Sequence, residues 1–170
     1  MLWNHTGRDR PDFAIEPGPG QESVWDYPRP PIAKRDNRLV EIKRGDPVIA
    51  RTTRSFRVME TASPPTFYVP PDDVDWDHLV KTGGNSVCEW KGAAHYWALA
   101  SDPDVPIAWT YPRPRARFDM IKDFISFYPG RVACYLDGER VAPQPGRFYG
   151  GWITSDVVGP FKGEPGTGHW

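Results

Sequence analysis

Short segments between residues 38 and 142 alternate apolar with polar side chains, and this period of two is typical of β-strands. Proline and glycine separate these segments, which indicates frequent turns and limits each strand to a few residues. The sequence therefore predicts a mainly β protein. The predicted strands cover residues 39–42, 48–50, 56–59, 67–69, 87–90, 93–99 and 107–111.

The clearest hairpin is expected around residue 137. Val132, Cys134 and Leu136 occupy alternate positions, as they do on one face of a strand. Asp137 and Gly138 then supply two residues that accept the positive φ angles of a tight turn. This pattern predicts that Cys134 belongs to the core.

One short helix is predicted, at residues 72–81. Asp72 can cap it, its first turn is acidic, and Lys81 lies at the end where the helix dipole favours a cation. The glycine pair at 83–84 predicts its end. A single helical turn is also expected at 119–122.

Both ends of the chain are rich in proline and glycine, so they are expected to be long and irregular. The run at 27–31 must be extended, because each proline fixes its own φ and restricts the residue before it. This run can serve as a polyproline ligand or as an arm on the domain, anchored by Trp25 and Tyr27. We divide the chain into an extended Pro-rich arm (1–35), a β domain (36–145) and a C-terminal wrap of glycine, proline and rings (146–170).

The composition fits this picture. A chain of 170 residues suits one domain with a real core. Its 20 prolines and 16 glycines favour turns, while 8 tryptophans, 7 tyrosines and 8 phenylalanines argue against disorder. Together these numbers predict an irregular β core that is rich in aromatic rings.

Charge and cysteine content exclude several classes of protein. The formal net charge is −1, which gives no reason to expect a nucleic-acid partner. No apolar run approaches the ~18 residues of a membrane span, and no apolar leader is evident, so a cytoplasmic location without a membrane partner is expected. Two cysteines without a Cys-x-x-Cys pair give neither a disulfide framework nor a four-cysteine zinc site. No metal or cofactor is predicted.

Residues 86–96 form the segment densest in groups able to do chemistry. Cys88 is a candidate catalytic nucleophile, which requires a cation close enough to favour the thiolate. On an uninterrupted strand, Lys91 and His95 would point away from Cys88, so only a bend at Gly92 would bring them together. The alternative is that Cys88 is a small packed side chain.

The polar and aromatic neighbours of Cys88 also admit two interpretations. Glu89 and Lys91 would share one face of the predicted strand, either as a polar pair at a pocket mouth or as a surface ion pair of little energetic consequence. Trp90 and Trp109 either line a ligand cavity or fill a small β core.

Several segments in order carry a family resemblance, and they are residues 22–31, 56–61, 64–74, 88–92 with Tyr96, 108–112 and 127–129. They resemble the bacterial DUF427 family, whose function is unknown. The resemblance implies an Mss4-like, or β-tent, architecture of coiled antiparallel sheets meeting at an angle. Many proteins of that architecture bind zinc through two Cys-x-x-Cys pairs, which this chain lacks, so a zinc site is not carried over.

A nucleotidyltransferase label is attached to the same family. The acidic run at 72–77 contains an Asp-x-Asp spacing, as metal-dependent nucleotidyl transfer requires. On a helix, however, residues i and i+2 diverge, and no Gly-Ser phosphate loop precedes the run. We therefore interpret the run as helix capping and disfavour nucleotidyl transfer.

The expected function is that of a small-ligand or peptide-binding β domain with an aromatic pocket. Two alternatives stay open: a Cys88-dependent enzyme of redox or acyl-transfer type, and a protein-interaction domain. The substrate, the partner and the oligomeric state do not follow from the sequence. The residues predicted to bind the ligand are Glu89, Trp90, Lys91, Gly92, Tyr96, Trp109 and Tyr111.

Overall fold

The computed structural model describes residues 3–170, and the prediction of a mainly β protein is confirmed. Helical structure in the described chain is limited to short 3₁₀ segments. No helix among residues 3–170 is long and apolar enough to cross a bilayer. The strands are β1 Glu22–Ser23, β2 Ile32–Asp36, β3 Val40–Lys43, β4 Val48–Thr52, β5 Ser55–Met59, β6 Thr66–Tyr68, β7 Leu79–Cys88, β8 Gly92–Leu99, β9 Asp102–Thr110, β10 Ile125–Phe127, β11 Ala133–Leu136, β12 Glu139–Arg140, β13 Ala142–Pro143, β14 Trp152–Ile153 and β15 Val157–Val158.

Three antiparallel sheets form the body of the fold. Their strand orders are β10-β9-β8-β7, β12-β11-β3-β4 and β2-β5-β6. Val69, just after β6, exchanges backbone hydrogen bonds of 2.8 and 2.9 Å with Ile125, so the first and third sheets are joined edge to edge. Two short pairs, β1 with β15 and β13 with β14, add the ends of the chain.

The largest core cluster lies where these sheets meet. Ile42, Phe67 and Trp152 are almost fully buried in it, and the rings of Phe67 and Trp152 stack with centroids 5.0 Å apart. The Trp152 indole donates a 2.9 Å hydrogen bond to the carbonyl of Phe127, which satisfies its buried polar atom. Cys134 belongs to this cluster with no exposed surface, so its prediction as a core residue is confirmed.

The predicted hairpin at residue 137 is also confirmed. Leu136 pairs with Glu139, and the two loop residues between them, Asp137 and Gly138, have φ angles of 48° and 82°. A two-residue loop with both φ angles positive matches the right-handed twist of the flanking strands. Local turn chemistry therefore determines this part of the fold.

The helix predicted at residues 72–81 is wrong. The chain instead forms 3₁₀ turns at Pro71–Asp73 and Trp76–His78, and β7 then begins at Leu79. Leu79 pairs with Leu99 on β8 and both side chains are buried. Packing between strands distant in sequence thus overrides the local helix signals.

The capping residues stabilise a single 3₁₀ turn instead of a full helix. Asp75 accepts a 3.2 Å hydrogen bond from the Asp77 backbone amide and so caps a single turn. Gly83 and Gly84 lie inside β7 and do not end a helix. The 3₁₀ segment Ala116–Ile121 is kinked at Phe118, where φ is −116°, and its second half overlaps the turn expected at 119–122.

The two ends of the described chain pack against each other. Glu22 and Ser23 in β1 pair in parallel with β15 near the end of the chain. Trp25 is fully buried, donates a 3.1 Å hydrogen bond from its indole to the carbonyl of Pro160, and lies edge-on to Trp170. The N-terminal segment is therefore held on the domain by a buried ring.

Candidate functional site

The site begins at the turn between β7 and β8. Cys88 pairs with Gly92, so Glu89, Trp90 and Lys91 form a three-residue hairpin loop. Gly92 has a φ of 105°, and a hairpin loop of this length commonly closes on a residue with positive φ. The strand predicted at 87–90 therefore ends early, and the shared strand face predicted for Glu89 and Lys91 is wrong.

The turn separates the two charged side chains. Glu89 is exposed, whereas Lys91 is half-buried, and burial of its ammonium group disfavours the charged form. The Lys91 Nζ is 6.0 Å from the centroid of the Tyr111 ring and 5.8 Å from that of Phe118. This ammonium group is thus enclosed by aromatic rings.

A cavity of about 350 Å³ opens beside this turn. Seven of the eight predicted site residues line it, and Gly92 shapes the turn from behind the lining. The predicted residues on the lining are Cys88, Glu89, Trp90, Lys91, Tyr96, Trp109 and Tyr111. The residues that sequence reasoning missed are Trp3, Val58, Glu60, Ser63, Pro64, Thr66, Tyr68, Ser86, Val87, Tyr128, Gln144, Phe148, Tyr149, Gly150, Gly151 and Lys162.

Trp109 forms the back wall of the cavity. Its side chain is buried, its indole donates a 3.2 Å hydrogen bond to the Tyr68 hydroxyl, and its ring lies 4.6 Å from that of Tyr128. Gly150 approaches so closely that a Cβ atom there would lie 2.4 Å from the Trp109 Cη2 atom. A glycine at position 150 is therefore required for this wall to close.

The pKa values at the floor of the cavity keep its polar groups protonated. Burial disfavours the charged form of Lys91, but Tyr68, Cys88 and Glu60 face the amine, and the pKa of Lys91 is raised above 10.5. Burial, followed by the neighbouring Tyr68 and Cys88, also raises the pKa of Tyr111. At neutral pH the cavity therefore contains an ammonium ion and a neutral phenol.

The structure brings Cys88 close to Lys91, which was one of the two arrangements considered from the sequence. The Cys88 thiol neighbours both Lys91 and Tyr111 and contributes to the raised pKa of each. Cys88 is half-buried, and His95 lies on β8 outside the cavity lining. Lys91 is thus the cation near this thiol.

A larger, more open groove of about 760 Å³ lies elsewhere, along β2 and β5. Two of its arginines are held by carboxylates: Arg38 contacts Asp36 and Asp156, each at 2.8 Å, and Arg57 contacts Glu22. These ion pairs join β2, β5 and the two ends of the chain, so we interpret this part of the groove as a structural network. The smaller aromatic cavity is the better candidate site.

At least one residue of the acidic run at 72–77, Asp73, has a structural role. Asp73 accepts hydrogen bonds from the Thr52 hydroxyl at 2.6 Å and from Arg54 at 2.9 Å, so its carboxylate is engaged. Across the part of the chain that the structure describes, no three His, Cys, Asp or Glu side chains are grouped so as to hold a metal ion.

A comparison with family models matches the segment that contains most of the strands. Residues 32–138 match the model described as a domain of unknown function, DUF427. The chain belongs to the DUF427 family. No curated protein matches the chain significantly. The DUF427 match confirms the resemblance stated from the sequence motifs. The matched segment contains the β7–β8 turn, Trp109 and Tyr68.

Part of the cavity lies outside the DUF427 segment. Gln144, Phe148 and Lys162 follow it in the chain and Trp3 precedes it, yet all four line the cavity. Sequence reasoning missed them because they are distant from Cys88 along the chain. One local signal was available, since two glycines at 150–151 between aromatic residues indicate a close approach of backbone to rings.

Proposed function

We propose that this DUF427 protein is a small-ligand-binding module, and that the ligand occupies the aromatic cavity beside the β7–β8 turn. The observation that carries this proposal is the convergence of rings and polar groups in one concave space. Its volume of about 350 Å³ falls in the range of roughly 300–1,000 Å³ that is usual for ligand sites. Aromatic walls with a few directed polar groups are the usual make-up of such sites.

Each part of the cavity has a separate role in this proposal. Trp90 and Trp109 supply flat apolar contact at little entropic cost. Tyr111 and Lys91 supply hydrogen-bond donors at the floor, while Glu89 stands at the exposed rim. Tyr96 is held by a 2.6 Å hydrogen bond with the Ser86 hydroxyl, which keeps its ring in the wall.

A neutral aromatic probe tests the proposal without assuming a charge for the ligand. We expect 2-naphthamide to shift the NMR signals of the Trp90 and Trp109 indole groups in a saturable manner. The indole signals of Trp25 and Trp152, which are buried away from the cavity, should not move. The absence of any shift at Trp90 and Trp109 would refute the proposal.

A matched pair of variants locates the binding. Trp109→Phe removes part of the cavity wall, so we expect it to weaken 2-naphthamide binding. Trp97→Phe is the control, because it makes the same change in a half-buried indole that packs on Trp76 outside the cavity. Equal affinities for the two variants would place the bound probe elsewhere.

The position of Lys91 favours a second candidate, a Cys88-dependent enzyme. A cation near a thiol stabilises the thiolate, which is the nucleophile in such enzymes. Alkylation by iodoacetamide at pH 7, followed peptide by peptide, tests this. An activated Cys88 reacts faster in the folded chain than in denaturant and slows in Lys91→Gln. A slower reaction in the folded chain counts against the enzyme.

We also propose, from the family resemblance, that the antiparallel sheets adopt the Mss4-like arrangement. Cavity residues come from two sheets, since Tyr68 lies on β6 while Trp109 lies on β9. A cavity between sheets is what an angled junction would produce. An experimental structure superimposed on β-tent proteins tests this arrangement, and sheets that do not superimpose would overturn it.

A further inference from the structure

We infer that the ligand of this cavity is a small organic anion, an aryl or alkyl carboxylate, whose acidic group lies against the Lys91 ammonium. This inference rests on the proposed function and names the chemical class of the ligand. It follows from the charges that line the cavity, from the donors around them and from the shape of the mouth.

The first observation is an ammonium group without a counterion. None of the ion pairs formed by residues 3–170 includes Lys91. Of the two carboxylates on the lining, Glu60 is paired with Arg29 at 3.3 Å and Glu89 is exposed at the rim. Burial disfavours the Lys91 cation, and an anion bound beside it would offset that cost.

The second observation is a set of donors around that cation. Burial raises the pKa of Tyr111 and of Tyr128, so both phenols keep their protons at neutral pH. Both residues line the cavity, where Tyr111 neighbours the Cys88 thiol and Tyr128 neighbours the Tyr96 hydroxyl. An ionised carboxylate only accepts hydrogen bonds, and it suits a site made of one ammonium group and protonated hydroxyl donors.

A second cation, Lys162, also lines the cavity. Lys162 is only 6% exposed, its Nζ donates a 3.3 Å hydrogen bond to the carbonyl of Trp170, and it lies 5.6 Å from the centroid of the Tyr149 ring. The lining thus contains two ammonium groups and two carboxylates, of which Glu60 is paired with Arg29 and Glu89 is exposed at the rim. Away from the rim, the two ammonium groups attract an anion and repel a cation.

The mouth indicates that the remainder of the ligand is apolar. Phe148 and Val87 are 79% and 75% exposed, which are the highest values among the large hydrophobic side chains that the structure describes. Both line this cavity. An acid whose carboxylate reaches Lys91 would place its ring or alkyl chain between the tryptophan walls and these two side chains.

Three probes of one shape and different charge test the inference. They are 2-naphthoate, 2-naphthamide and 2-naphthylmethylammonium, titrated into the full chain at pH 7 while the Trp90 and Trp109 indole signals are followed. We expect 2-naphthoate to bind at least about tenfold more tightly than 2-naphthamide, because it gains a charge-assisted contact. The ammonium probe should bind most weakly.

Variants of one lysine show whether Lys91 provides the preference. Lys91→Gln should bring the affinities for 2-naphthoate and 2-naphthamide together, and Lys91→Arg should retain most of the difference. Lys81→Gln is the control, since Lys81 is an exposed lysine on β7 outside the cavity. Unchanged indole signals of Trp25 and Trp152 verify that each variant is folded.

The outcomes separate this inference from the proposed function. Similar affinities for all three probes would overturn the anion inference and leave an aromatic-binding cavity in place. A preference for 2-naphthoate that survives in Lys91→Gln would overturn the role of Lys91. Binding of none of the probes would overturn both the inference and the proposed function.

Discussion

The indole Nε1–H of Trp109 donates a 3.2 Å hydrogen bond to the hydroxyl of Tyr68, and the two rings meet at 90° with centroids 6.1 Å apart. Tyr68 lies on β6 and Trp109 on β9, so this contact links two sheets across the back of the cavity. Tyr68 has no exposed surface, and burial raises the pKa of its hydroxyl. The bond is therefore shielded from water and present across the physiological pH range.

Replacing Tyr68 by phenylalanine should destabilise the protein. The change leaves the buried Trp109 indole without its acceptor, and an unpaired buried donor costs about 1–3 kcal/mol. Urea unfolding measures the free energy of unfolding of Tyr68→Phe against that of Tyr135→Phe. Tyr135 is a half-buried tyrosine on the outer face of β11, so its variant should differ little from the parent. Equal effects of both changes would contradict the buried bond.

Gly150→Ala should be far more damaging than alanine at an open glycine. Its Cβ would lie 2.4 Å from the Trp109 ring, and such overpacking typically costs about 1–3 kcal/mol. Gly84→Ala is the control, because the nearest atom to a Cβ there is a side-chain oxygen 3.9 Å away. Thermal unfolding with the Trp109 indole signal as a second readout checks this prediction. A Gly150→Ala protein as stable as Gly84→Ala would mean that the loop does not close on Trp109.

The two thiols should differ in accessibility. Cys134 has no exposed surface and burial raises the pKa of its thiol, while Cys88 is half-buried on the cavity wall. Brief exposure of the folded protein to N-ethylmaleimide should therefore modify Cys88 and spare Cys134. Mass spectrometry counts the modified thiols, and denaturant should raise the count from one to two. Modification of Cys134 in the folded state would show that its strand is not packed as described.

Acid should destabilise the fold through the network on β2. Burial opposes ionisation of Asp36 and Asp156, but hydrogen bonds from Arg38 and Thr154 outweigh it, and the pKa values of both carboxyls fall below 3.8. Because folding depresses these pKa values, the unfolded chain binds protons first as the pH falls. The stabilising effect is thus complete above pH 3.8 and is lost as the pH falls through the lower folded-state values.

A substitution tests that assignment. Arg38→Met removes the partner of both carboxyls, so its stability should depend less on pH than that of the parent below about pH 4. Arg44→Met is the control, because Arg44 is exposed and forms no ion pair with other residues of the 3–170 range. Urea midpoints measured from pH 6 to pH 2.5 give the comparison. Identical pH profiles for Arg38→Met and the parent would contradict the role of this network.

The sequence predicts best where structure depends on neighbouring residues. The hairpin at Asp137 and Gly138 follows from turn chemistry alone, because only a few residue types accept two positive φ angles. The helix expected at 72–81 failed because its signals were real but short in range. Asp75 caps one turn, and Leu79 is then drawn into β7 by its partner Leu99 on β8.

Only the cavity residues between Cys88 and Tyr111 could be predicted from the sequence. Residues from Cys88 to Tyr111 were recognised because rings and polar groups are concentrated there. The turn geometry was missed, since alternation alone extended the strand through Trp90, although Gly92 is the kind of residue that closes a three-residue loop. Tyr68 and Lys162 could not be paired with this segment from one sequence, because only the tertiary fold brings them there.

The cavity is lined both by residues of the segment that matches DUF427 and by residues outside that segment. One wall belongs to the segment that matches DUF427, whereas Phe148, Gly150 and Lys162 come from beyond residue 138. A protein trimmed to residues 32–138 would keep the floor of the cavity and lose the part of its lining that Phe148, Gly150 and Lys162 contribute. Two proteins that share the matched segment but differ in the residues after it would have cavities of different shape. Under the proposed function, the ligand selectivity of this chain would depend in part on residues outside the matched segment 32–138.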